Sequence, residues 1–249
     1  MTLATIEAAI VDLDGTLVDT LGDFVVALNL MLADVTLPAV DRAVVEPLVG
    51  KGSEHLIQSV LAHVLKRPPA HMGQAPAATN FGAHHERPDC FPAAWASYQR
   101  HYLAINGEHA QVYPGVMEGL RRLQDSGLAL ACLTNKPTAF ALPLLKAKGL
   151  DGFFSEVFGG DAFERKKPDP LPLRKTCEAL GTRPARTLMI GDSSNDALAA
   201  RAAGCPVLLV TYGYNHGEPV RAVDADGFVD TLAEIDLTRI ETTTGPAPR

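Results

Sequence analysis

The sequence predicts an α/β protein, a parallel sheet with helices on both faces, interrupted near its start by a wholly helical insertion. Short continuous apolar runs alternate with helical periods from Tyr113 onward, which is the pattern of βαβ units. Between Thr20 and about Tyr113 no β-alternation appears, and only helical spacings recur. At 249 residues the chain accommodates one large domain or two smaller ones; 47% hydrophobic and 20% charged residues suit a soluble protein with a sizeable core.

The first strand is the apolar run Ile6 to Val11. Leu21, Phe24, Val25, Leu28 and Leu32 then recur at helical spacing. Pro38 separates this helix from a second helical pattern. Val49-Gly50-Lys51-Gly52-Ser53 reads as a flexible basic turn, and His55 to Leu65 as an amphipathic helix. Arg67 to Pro92 is rich in Pro, Ala, Gly and His and reads as a long loop. His84, His85, Asp89 and Cys90 lack the spacing of a metal-ligand set and read as solvated loop residues. Trp95, Tyr98 and Tyr102 resume a helical period.

After Tyr113-Pro114-Gly115 the alternation begins. Helices are expected at Val116 to Leu123, Pro137 to Lys148, Leu171 to Leu180 and Asn195 to Ala203, closed by Gly127, Gly149, Gly181 and Gly204. Strands are expected at Leu128 to Leu133, Glu156 to Phe158, Thr187 to Ile190, Val207 to Val210 and Gly227 to Val229. Residues 239–249 read as a frayed tail.

The formal charge of −7 argues against nonspecific nucleic-acid or anionic-membrane partners. Cys90, Cys132, Cys177 and Cys205 are scattered, with no C-x-x-C pair, so neither a zinc module nor a disulfide framework is expected. No signal peptide or membrane span is evident, and a reducing cytoplasm is the expected compartment.

Four stretches carry chemistry, and each is expected at the C-terminal end of a strand. Asp12 and Asp14 leave the first strand two residues apart and point the same way, with Gly15 turning the chain behind them. Two like charges that close call for a cation or a shared proton, and Mg²⁺ with oxygen ligands and a phosphate would supply that relief. Thr134 and Asn135 open a helix, where a hydroxyl, an amide and free N–H groups suit a phosphate oxygen; the same residues also serve as a plain helix cap. Lys167 precedes a proline that extends it, beside Lys166. Asp192 and Asp196 are four apart at the start of a helix and share a face. Strand ends of a parallel sheet line one crevice, so these stretches converge.

Asp12-Leu13-Asp14-Gly15-Thr16-Leu17-Val18-Asp19, Thr134-Asn135, Lys167-Pro168-Asp169-Pro170 and Gly191-Asp192-Ser193-Ser194-Asn195-Asp196 resemble, in order, the motifs of the haloacid dehalogenase-like phosphatases. Within that superfamily the chain is most similar to the bacterial phosphoglycolate phosphatases. The resemblance implies a Rossmann-like core over residues 1–19 and 110–238 and a helical cap over 20–109. It also implies Asp12 as nucleophile, Asp14 as acid and base, Thr134 and Lys167 on the phosphate, and Asn135 as a further substrate contact. Asp12, the Asp14 carbonyl and Asp192 would hold Mg²⁺, with Asp196 behind them. Asp14 separates the phosphatases from the dehalogenases, which lack that acid. A cap implies a small phosphorylated metabolite as substrate, 2-phosphoglycolate foremost, and a monomer or homodimer. A sugar-phosphate phosphatase or β-phosphoglucomutase shares the motifs, and a metal-binding scaffold is the non-enzyme alternative. Lys51 is the candidate for a substrate carboxylate contact. The loop Thr211 to Pro219 resembles one found in phosphoglycolate phosphatases.

Overall fold

The computed structural model of the chain describes residues 5–66 and 90–239. His84, His85 and Asp89, with residues 240–249, lie outside them. The opening apolar run forms β1 (Ala8–Val11), buried throughout. A short β2 (Val18–Asp19) leads into α1 (Leu21–Asp34), α2 (Arg42–Val45), α3 (Ser53–Lys66) and α4 (Phe91–Ile105). The chain returns through β3 (Gln111–Val112) and α5 (Val116–Asp125). Then come β4 (Ala129–Leu133), α6 (Thr138–Ala147), β5 (Glu156–Phe158) and α7 (Leu171–Ala179). Last are β6 (Thr187–Gly191), α8 (Ser194–Ala203), β7 (Val207–Val210) and β8 (Gly227–Val229).

Six strands form one parallel sheet in the order β5-β4-β1-β6-β7-β8. The chain builds outward from β1 through β4 and β5, then crosses to the other flank with β6. A reversal of this kind opens a crevice at the carboxyl ends of the strands. Val11 is level with Cys132 of β4 and Ile190 of β6. That register brings Asp12, Thr134 and Asp192 out on one edge.

Both faces of the sheet are covered, as continuous apolar strands require. Ala9 and Val11 pack with Leu120 of α5 and Leu144 of α6. Ile10, on the opposite face of β1, packs with Leu173 of α7 and Ala200 of α8. The inserted helices have a core of their own, in which Leu28, Met31, Ile57, Val60, Tyr98 and Tyr102 are buried together with Phe140 and Tyr214 from the sheet region.

Two departures from the sequence reading have local causes. β2 and β3 form an antiparallel ribbon, with Val18 opposite Val112 and Asp19 opposite Gln111. β3 falls in the stretch expected to lack β-structure, because two residues are too few to display alternation. The helical pattern after Pro38 shrinks to one turn, α2, since Pro47 diverts the chain into a 3₁₀ turn over Glu46–Leu48. All four cysteines are free, and Cys132, Cys177 and Cys205 are buried. Among the described residues, no helix is long and apolar enough to cross a membrane.

Candidate active site

Asp12 follows directly from β1, and its N–H donates to the Ile190 carbonyl at 2.9 Å. Its Oδ1 accepts from Leu13 N–H at 2.7 Å and from Lys167 Nζ at 2.9 Å. Among the described residues its second oxygen accepts no hydrogen bond. Burial raises the Asp12 carboxyl to about 7; Lys167 opposes the rise and Asp196 adds to it.

Lys167 is 4% exposed and makes the most of its three N–H donors. It donates to Asp12, to Asp196 Oδ1 at 2.7 Å and to the Leu133 carbonyl at 2.9 Å. Burial works against its charge, but Asp12 and Asp196 outweigh that and hold the ammonium above its ordinary range. Lys166, its neighbour, is exposed.

Asp196 is fully buried, and both of its oxygens are bonded. Oδ2 accepts from the N–H groups of Asp192 and Ser193 and from Ser193 Oγ; the Ser193 pairing closes a capping box at the head of α8. Asp192 accepts from Tyr214 N–H at 2.5 Å and from Thr16 Oγ1 at 3.3 Å. Burial, then Asp196 and Asp12, push the Asp192 carboxyl well above the usual range. Gly15, at φ +84°, passes so close that a Cβ on it would stand 2.2 Å from Asp192 Oδ2.

Asp14 is turned the other way. Its Oδ1 accepts from Thr20 Oγ1 at 2.7 Å and from Lys136 Nζ at 2.8 Å. Lys136 is 3% exposed, and its ammonium lies 4.5 Å from the ring centre of Phe24 in α1 and 4.7 Å from that of Tyr102 in α4. A cavity between the sheet edge and the inserted helices is lined by Asp12, Asp14, Thr134 and Lys136 from below and by Phe24 and Ser53 from above.

Sequence similarity is consistent with this geometry. A family model described as haloacid dehalogenase-like hydrolase matches residues 6–204. The chain belongs to that family. A relative from Thiobacillus denitrificans, named phosphoglycolate phosphatase, is 41% identical over 232 residues, covering 93% of this chain and 95% of its own. A plasmid-encoded phosphoglycolate phosphatase from Cupriavidus necator is 41% identical over 225 residues, covering 90% and 89%. The crystal structure of a predicted phosphoglycolate phosphatase from Haemophilus somnus 129PT superposes with a TM-score of 0.82 at 33% identity, covering 92% and 96%.

As in a metal-dependent member of this hydrolase family, the donor set fits a divalent cation. Asp12, Asp192 and Asp196 each offer an oxygen within 4.8 Å of the others. Asp196 is committed to Lys167 and to the α8 cap, which leaves Asp12 and Asp192 as side-chain donors to a hard cation. Two buried carboxylates that each favour a proton are the arrangement such an ion relieves. The Asp14 carboxylate lies outside this cluster, bound to Lys136 and Thr20.

The remaining expected residues divide. Thr134 is buried, lines the cavity and accepts from Lys136 N–H at 3.1 Å. Asn135 also lines the cavity, but its amide is spent on backbone. It accepts from Lys167 N–H at 3.0 Å and donates to the carbonyls of Lys167 and Gly50. Lys51 is exposed and does not line the cavity. Gly50 and Gly52, at φ +104° and +89°, present backbone to the site and leave the intervening side chain in solvent. The turn is also not loose, since the Gly50 carbonyl accepts from both Asn135 and Asn195. Sequence reasoning missed Lys136 and Tyr214. Lys136 directly follows Thr134 and Asn135, but that adjacency alone does not separate it from a solvated lysine.

Proposed function

We propose that the chain is a Mg²⁺-dependent phosphatase that hydrolyses 2-phosphoglycolate to glycolate and phosphate. The gathering of Asp12, Asp192 and Asp196 around Lys167 at the strand ends carries this reading. Relatives named phosphoglycolate phosphatase, at about two-fifths identity over nearly the whole chain, supply the substrate.

Asp12 attacks phosphorus through its unpartnered oxygen and forms a phosphoaspartate, while the bond to glycolate oxygen breaks. Asp14 gives a proton to that leaving oxygen, then takes one from the water that hydrolyses the intermediate. Thr134 donates to a phosphoryl oxygen. Lys167 holds Asp12 in line and balances the charge it shares with Asp196. Asp12, Asp192 and the Asp14 carbonyl would hold Mg²⁺, which when bound would supply positive charge for the transferring group. Asp196 orients Lys167 and the backbone of the Asp192 turn. Residues 20–109 act as a cap over a core formed by 1–19 and 110–238, which excludes water from the cavity. The partner is a small metabolite in the cytoplasm, and the chain works as a monomer or homodimer without nucleic acid or membrane.

The test is phosphate release from a panel of small phosphate esters with Mg²⁺ and with EDTA. The expected result is metal-dependent turnover with 2-phosphoglycolate foremost. A clear preference for a hexose phosphate would overturn the substrate assignment.

A further inference from the structure

Among the described residues that line the cavity, Lys136 is the only cation. Two carboxylates, Asp12 and Asp14, line it as well. A ligand with two anionic groups therefore meets acidic walls and one ammonium. Lys136 and Lys167 differ in what they have left to give. Lys167 has an acceptor for each of its N–H donors in Asp12, Asp196 and the Leu133 carbonyl. Lys136 Nζ has a single hydrogen-bond acceptor among the described residues, Asp14 Oδ1, and otherwise faces the rings of Phe24 and Tyr102. It retains donors for a ligand.

Its position sets which part of the ligand those donors meet. On the reading above, Asp14 adjoins the leaving oxygen and Asp12 adjoins phosphorus. Lys136 stands 2.8 Å from Asp14, hence on the leaving-group side. The inserted helices close that side with Phe24, Leu56 and Ser53. In 2-phosphoglycolate one methylene separates the ester oxygen from the carboxylate, so an ammonium beside Asp14 is within reach of it. Lys51, by contrast, is exposed and does not line the cavity.

We infer that Lys136 is the specificity-determining residue of the site: it receives the carboxylate of the leaving group and selects phosphate esters of 2-hydroxy acids. The inference rests on the proposed phosphatase activity. Asp14 and the two aromatic rings hold the ammonium in place, and the substrate carboxylate takes its free donors as a charge-assisted pair.

The experiment compares kcat and KM for 2-phosphoglycolate and ethyl phosphate in the Mg²⁺-loaded wild type, Lys136→Met and Lys136→Arg. The wild type selects 2-phosphoglycolate. Lys136→Met narrows that selectivity by about 10- to 100-fold, as loss of a charged hydrogen bond implies, chiefly through KM for the acid ester. Lys136→Arg keeps an intermediate selectivity. If the Met variant does not fold, Lys136→Gln, which keeps a neutral donor, takes its place with the same expected direction. A variant that loses the same factor on both esters overturns the inference, since Lys136 would then act only through Asp14. A wild type with no preference between the two esters overturns the phosphoglycolate reading itself.

Discussion

Tyr214 holds Asp192 from its backbone and the entry to the inserted helices from its side chain. Its N–H donates to Asp192 Oδ2, while its hydroxyl accepts from Thr20 N–H at 3.0 Å and from Leu21 N–H at 3.2 Å and bonds to Asp19. Leu21 N–H has a second acceptor in Asp19, but Thr20 N–H has no other among the described residues. Tyr214→Phe therefore strands one buried donor and costs about 1–3 kcal/mol in a urea titration. Metal affinity, read by calorimetry, should stay close to wild type, because the bond to Asp192 comes from the backbone.

Removal of Lys167 leaves Asp12 and Asp196 buried without their common cation. Lys167→Met should cost about 3–5 kcal/mol of stability in the metal-free protein and remove turnover. Added divalent cation should restore part of that stability but none of the activity. Equal urea midpoints for variant and wild type would contradict the role of Lys167 as counterion.

The raised Asp12 carboxyl gives stability a pH dependence whose sign is opposite to that of a salt-bridged acid. Between about pH 4 and about pH 7 the folded metal-free chain holds a proton that the unfolded chain has released. Stability contributed by Asp12 is therefore present below this window and is lost as pH rises through it. Asp192 acts in the same direction. Asp34 and Asp161 are shifted the other way, and comparison with Asp12→Asn cancels them. The expected result is a shallower fall in urea midpoint for Asp12→Asn than for wild type, and a shallower fall for wild type with Mg²⁺.

A methyl group at Gly15 has no room beside Asp192, and its left-handed backbone adds strain. Gly15→Ala should displace the Asp192 carboxylate, weaken divalent-cation binding at least tenfold by calorimetry, and lower the unfolding midpoint.

The sheet was legible in the sequence because its strands are continuous apolar runs, such as Leu130 to Leu133 and Val207 to Val210, and their ends carry acids. A parallel sheet forces such ends to one edge, so Asp12, Thr134 and Asp192 could be gathered without coordinates. Lys167 was separable from Lys166 by the resemblance of Lys167-Pro168-Asp169-Pro170 to the family's motif. Lys136 was not legible as a site residue, since its meaning depends on Phe24 and Tyr102 reaching over from helices far away in sequence. Tyr214 was hidden for the same reason: its partners at Asp19 to Leu21 lie nearly two hundred residues away. The direction of Lys51 was not legible, because a side chain flanked by glycines has no fixed direction in sequence; in the structure it is exposed.

The reaction assigned to this site depends on Asp12 becoming phosphorylated. Acid-quenched enzyme, caught during turnover of 2-phosphoglycolate with Mg²⁺ and digested for mass spectrometry, should carry one phosphoryl group on Asp12, labile to hydroxylamine and absent from Asp12→Asn. Undiminished phosphate release by Asp12→Asn, or a phosphoryl group trapped on another residue, would contradict it.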